Sequence, residues 1–117
     1  YFNRRRSKLP IDIIEKNDDE YFLNRRGAKV YFDITKQPIL QIAEGSQTEM
    51  VLSVGMDKSG IPLITISNEG NPICYRLPEE LSDWAYTVIG MANRGVNLFP
   101  SQVVFTKEKN RYFANIL

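Results

Sequence analysis

The hydrophobic positions of this chain repeat every second residue over most of its length and every three to four residues over one segment. From Lys29 to Ile34, Val30, Phe32 and Ile34 fall on one side and Lys29, Tyr31 and Asp33 on the other, the alternation of a half-buried strand. Met50, Leu52, Val54 and Met56 alternate with Val51, Ser53 and Gly55 in the same way, and Asp57-Lys58-Ser59-Gly60 then supplies a turn. Ile61 to Ser67 is rich in β-branched residues, Asn68-Glu69-Gly70-Asn71 reads as a second turn, and Pro72 to Leu77 completes a meander. Shorter strands are predicted at Ile11 to Ile14, Tyr21 to Leu23 and Pro38 to Ala43, the last with Leu40 and Ile42 on one side, and Asn24-Arg25-Arg26-Gly27 reads as a turn. Strands joined by such short connections pair antiparallel.

Between Pro78 and Arg94 the period changes. Leu81, Trp84, Ala85, Val88, Ile89 and Ala92 recur at spacings of three and four, which places them in one stripe of a helix. Pro78 suits the first helical position, Glu79, Glu80 and Asp83 set negative charge against the positive end of the helix dipole, and Arg94-Gly95 supplies a stop. Gly90 weakens such a helix by about 1 kcal/mol relative to alanine, so a close packing contact is the expected reason for it. Farther on, Gln102 to Thr106 and Arg111 to Ile116 flank Lys107-Glu108-Lys109-Asn110 as a hairpin. The predicted class is α+β: six to eight short antiparallel strands, meander-like or curled, with one amphipathic helix over about 78–94 packed on the sheet and a C-terminal β-hairpin.

At 117 residues, 43% hydrophobic and 25% charged, the chain has the size and composition of one soluble globular domain. Residues 1–10 read as a basic stub and residues 11–117 as the domain. No apolar run approaches the roughly 20 residues that span a bilayer. Tyr1 and Phe2 precede Arg4, Arg5, Arg6 and Lys8, the order seen at the cytoplasmic end of a transmembrane helix, where interfacial aromatics are followed by positive charge. That order predicts a cytoplasmic domain tethered to the inner face of a membrane through an upstream helix, with a plain solvated basic terminus as the alternative. Cys74, the single cysteine, is expected to be an inert thiol within a strand. A chain that cannot form an internal disulfide points to a reducing compartment, and a disulfide-free periplasmic domain is the alternative.

The absence of histidine removes the commonest general acid/base and metal ligand. No G-x-x-x-x-G-K-[ST] or G-x-G-x-x-G loop is present to cradle phosphates, and one cysteine does not make a zinc site. Asp18-Asp19-Glu20 reads as a loop run and Glu79-Glu80-Asp83 as a helix N-terminus, without the contrasting environments that paired catalytic carboxylates need. No catalytic residue, cofactor or metal is therefore assigned, and the expected function rests on contact.

Charge is unevenly spread: residues 1–36 carry +3, residues 37–83 carry −5 and residues 84–117 carry +3, for a net +1. Such polarity can steer a charged partner. Two classes of function follow. The first is a non-enzymatic protein–protein interaction domain, as in the soluble part of a membrane-anchored assembly or signalling protein, with an inhibitor or immunity-type binder as a special case. Its candidate contacts are Arg111, Tyr112 and Phe113 on the C-terminal hairpin, or the acidic set Glu69, Glu79 and Glu80. Ile116 and Leu117 end in strand character, so the sheet edge there is expected to be open to pairing with another chain. The second class is a small nucleic-acid-binding domain, in which Arg4, Arg5, Arg6, Arg25 and Arg26 meet phosphates while the neighbouring Tyr1, Phe2, Tyr21, Phe22, Tyr31 and Phe32 stack on unpaired bases. A pI near 8.0 lies below that of most dedicated nucleic-acid binders and places this reading second.

Overall fold

The computed structural model describes residues 20–117. The strand expected at Ile11 to Ile14, the arginines Arg4, Arg5 and Arg6 and the aromatics Tyr1 and Phe2 lie outside the described residues. Within them, β1 (Tyr21–Leu23) and β2 (Lys29–Tyr31) form a small antiparallel hairpin. A five-stranded sheet is built from β3 (Gly45–Met56), β4 (Pro62–Asn68), β5 (Asn71–Arg76), β6 (Ser101–Glu108) and β7 (Arg111–Ile116), in the order β5-β4-β3-β6-β7 with every pairing antiparallel. The helix α1 (Ser82–Asn93) connects the outer strand β5 to β6 on the far side of β3, and it contacts β3 and β4 on the way. The fold is thus α+β, as the change of period predicts.

β3 is the strand on which the sheet turns. It pairs with β6 from Gly45 to Val51 and with β4 from Met50 to Met56, so the two halves of the sheet overlap only at Met50 and Val51. The ladder to β4 slips between Val51 and Ser53, leaving Leu52 as an extra residue. Such a bulge reverses the inward and outward phase beyond it. Val51 and Val54 therefore face the helix-side core, whereas the unbroken alternation predicted Met50, Leu52, Val54 and Met56 on one side; Met50 is instead 37% exposed.

The helix-side core gathers Val51, Ile64, Ile66, Leu77, Leu81, Ala85, Val103 and Phe105, with the Trp84 ring set edge-on against Phe99 and Phe105. Leu81, Ala85 and Val88 of the predicted stripe are buried, Trp84 and Ile89 are half-buried, and Ala92 is exposed. The helix starts one turn later than expected: Pro78 is extended and caps a 3₁₀ turn, Glu79–Leu81, that leads into α1. At the other end Gly95 adopts φ +91, its N–H donates to the Ala92 carbonyl and the Val96 N–H to that of Met91. This is a Schellman stop, which only a residue at ease in the left-handed region closes without strain. Apart from its chain neighbours and its own helix backbone, nothing lies within 4 Å of a Cβ built on Gly90, so the close packing contact expected there is absent.

Two predicted strands are shorter than their sequence patterns. The run Lys29 to Ile34 pairs only as far as Tyr31, because the Asp33 carboxylate accepts the Thr35 N–H at 3.1 Å and caps a 3₁₀ turn, Ile34–Lys36; Phe32 is left 55% exposed. Pro38 to Ala43 makes a single parallel bridge, Ile39 to Arg76, although Leu40 and Ile42 are buried as predicted. There Gln47 takes the place of a partner strand, its side chain accepting the Ala43 N–H and donating to the Gln41 carbonyl.

On the second face of the sheet lies the β1–β2 hairpin. Ala28 and Val30 pack with Cys74, flanked by Phe22, Ile34 and Leu63, and Leu63 points away from the side that Ile64 presents to the helix. The hairpin covers β4 and β5 and leaves the β6–β7 half of that face uncovered by any described element, with Phe113 43% exposed beside it.

Candidate functional site

The two outer strands of the sheet are unlike. In β5, the positions whose backbone faces outward are Pro72, Cys74 and Arg76, two, four and six residues from the β4–β5 turn. Each is closed. Pro72 has no N–H, the Cys74 carbonyl accepts from Gln37 Nε2 at 2.8 Å, and Arg76 exchanges bonds with the chain beside it, accepting the Leu40 N–H and donating its own N–H to Pro38.

β7 is the opposite case. The Leu117 N–H donates to the Gln102 carbonyl at 2.9 Å, which fixes the phase: Arg111, Phe113, Asn115 and Leu117 turn their backbone groups toward β6. Tyr112, Ala114 and Ile116 turn theirs outward, and no described residue pairs with them. Their side chains pack on the helix-side core, while those of Arg111, Phe113 and Asn115 stand exposed on the other face.

The structure brings part of the candidate set together. Tyr112 is half-buried, with Lys107 Nζ 5.5 Å from its ring centre, between exposed Arg111 and Phe113. Glu79 and Glu80 are exposed on the 3₁₀ turn that packs against β7 from the helix side, so they flank the strand on the face opposite Arg111 and Phe113. Glu69 stands apart, in the β4–β5 turn, at φ 53. Arg25 and Arg26 are exposed in the β1–β2 turn, separate from the C-terminal hairpin.

A second feature escaped the sequence patterns. Between the β1–β2 turn and the β3–β4–β5 face is an open cavity of about 830 Å³, walled by Phe22, Met56, Leu63, Thr65 and Cys74 and edged by Arg25 and Arg26. Hydrogen bonds fix the spacing of its two sides. The Asn24 carboxamide accepts the Arg26 and Ala28 N–H groups at 2.9 and 3.0 Å and donates to Thr65 Oγ1 at 3.0 Å. Gln37, 3% exposed, accepts the Tyr31 N–H and donates to the carbonyls of Lys29 and Cys74. Burial pushes the Cys74 thiol up to about 11, against a smaller opposing effect of its hydrogen bond with Thr65, so it is a neutral thiol at physiological pH. The Asn-x-x-Gly spacing of the turn is a local signal for Asn24. Gln37 has none, since its partner Cys74 is 37 residues away.

Among the described residues no three histidine, cysteine or carboxylate side chains converge as metal ligands would, and no helix is long and apolar enough to cross a membrane. No protein-family model matches the chain, and neither a curated protein nor a solved structure is found to be similar to it.

Proposed function

We propose that this chain is a non-enzymatic protein–protein interaction domain that takes an extended segment of its partner alongside β7. The observation that supports this reading is the contrast between the two edges: every outward position of β5 has a backbone group absent or already bonded, whereas Tyr112, Ala114 and Ile116 of β7 have no edge partner among the described residues. Sheet proteins guard their edges with proline, bulges, charge or a covering segment. β7 has no proline, its register with β6 is unbroken, and Tyr112, Ala114 and Ile116 carry no charge. Strand addition draws affinity from main-chain hydrogen bonds and selectivity from side chains on alternate positions. Arg111 and Phe113 on one face of β7, and Glu79 and Glu80 on the 3₁₀ turn at the other, fill that second role. A setting at a membrane is supported by the order of aromatic and basic residues in 1–8 alone.

The test is a pull-down from source-cell lysate, run with and without nuclease at low and moderate salt, with wild type and Ala114→Pro as baits. The Ala114 N–H faces outward, so proline there removes an edge donor while leaving the β6–β7 ladder intact. The expected result is a discrete protein held by wild type and lost by a folded Ala114→Pro domain. Equal capture by both baits overturns the edge as the site. Recovery of nucleic acid that falls steeply with salt moves the function to the arginine clusters.

A further inference from the structure

The cavity beside the β1–β2 turn carries a separate inference. We infer that it binds an amphipathic anion, a small molecule with an apolar body and one carboxylate or phosphate head. Its volume of about 830 Å³ falls in the range of small-molecule sites, about 300–1,000 Å³. Phe22, Met56, Leu63 and the neutral Cys74 thiol offer an apolar wall, with no aspartate or glutamate among the lining residues. The charged groups at its edge are Arg25 and Arg26, and among the described residues neither side chain has an ion-pair or hydrogen-bond partner. Two guanidiniums without a partner among the described residues, set beside an apolar recess, match a ligand that is anionic at one end and apolar at the other.

The recess is also preorganised. Asn24 is tied to Thr65 and Gln37 to Cys74, so the hairpin is held by hydrogen bonds at a fixed distance from the sheet and is not free to collapse into the space. A site whose walls are already in place loses little on ordering when a ligand enters. Gly55 lines the same recess opposite Leu63, and a Cβ built on it meets nothing within 4 Å. A larger side chain at that position grows into the cavity without a clash at its root.

The experiment is a titration of the isotope-labelled full chain with sodium decanoate, decyl phosphate and decanol, followed by amide NMR shifts. Saturable shifts centred on Ser53, Gly55, Thr65 and Cys74 are expected for both anions, with decanol about tenfold weaker. The double substitution Arg25→Ala, Arg26→Ala brings the anions down to the level of decanol and leaves decanol unchanged. Gly55→Leu abolishes all three. Should the carboxylate bind and the phosphate not, or the reverse, the head group is identified and the inference stands. An absence of saturable shifts overturns it, as do shifts centred on Phe113 and Ile116, equal affinity for decanol and the anions, or binding that survives Gly55→Leu.

Discussion

Replacing Gln37 with alanine is expected to release the β1–β2 hairpin from the sheet. Its side chain serves three backbone groups: the Tyr31 N–H donates to Oε1 at 2.8 Å, and Nε2 donates to the carbonyls of Lys29 at 3.1 Å and Cys74 at 2.8 Å. Alanine leaves all three without that partner. The Cys74 carbonyl is buried, and an orphaned buried acceptor costs about 1–3 kcal/mol. The Tyr31 and Lys29 groups are part-buried and regain some hydration, so each forfeits a net bond of about 0.5–1.5 kcal/mol. Together the loss is about 2–6 kcal/mol, a large fraction of the stability of a domain of this size. Urea unfolding followed by Trp84 fluorescence reads the helix-side core, and hydrogen exchange at Val30 and Tyr31 reads the hairpin. Cooperative loss lowers both, whereas local release raises exchange in the hairpin alone. A change below about 1 kcal/mol in both readouts refutes the reasoning. Gln37→Glu separates bonding from packing. It keeps the volume but turns a carboxylate toward two carbonyls, which raises the folded-state pKa of the new acid. Stability is therefore lost at neutral pH and returns as pH falls below that raised pKa, where the protonated carboxyl regains an O–H donor.

Two further substitutions test the energetics. The Cys74 thiol rises from an ordinary 9.0 to about 11 on folding, so between those values the unfolded chain has released a proton that the native protein still holds. Wild type is thus expected to lose up to about 3 kcal/mol more than Cys74→Ala as pH rises through this window, and parallel unfolding curves for the two would contradict the burial of the thiol. Gly90→Ala is expected to stabilise the protein by about 1 kcal/mol, since the position is helical and nothing lies where the new methyl goes; a lower midpoint in urea would reveal a contact at Gly90 that the backbone geometry does not contain.

What the chain discloses in sequence is what it encodes locally. The three-and-four spacing from Leu81, the Gly95 stop, and the turns at Asp57 to Gly60 and around Gly70 are each written within one or two helical turns or four residues, and each is found in the structure. Features that depend on a distant partner were not legible. Leu52 is a bulge because β3 must satisfy β6 along one half and β4 along the other, and no alternation within 50–56 records that demand. Phe32 continues an apolar alternation yet is exposed, because Asp33 finds a better use as a cap. The cavity draws Phe22, Arg25, Ser53, Leu63 and Cys74 from four separate segments, so no window of sequence contains it. The open edge falls between these cases: the apolar ending at Ile116 and Leu117 suggests an outer strand, but the closure of the other edge depends on Gln37 and Leu40 reaching β5.

The division of β3 also makes the two proposed surfaces separable. Ser53 to Met56, which line the cavity, belong to the half of β3 that pairs with β4; the open edge belongs to the half of the sheet reached through Gly45 to Val51 and β6. The halves meet at Met50 and Val51, next to the bulge at Leu52, and a bulge is where a sheet bends with least loss of pairing. Ala114→Pro is therefore expected to leave decanoate binding unchanged, and Gly55→Leu to leave partner capture unchanged. If filling the cavity instead releases the partner while the domain stays folded, the bulge transmits the change, and cavity and edge are two ends of one binding device.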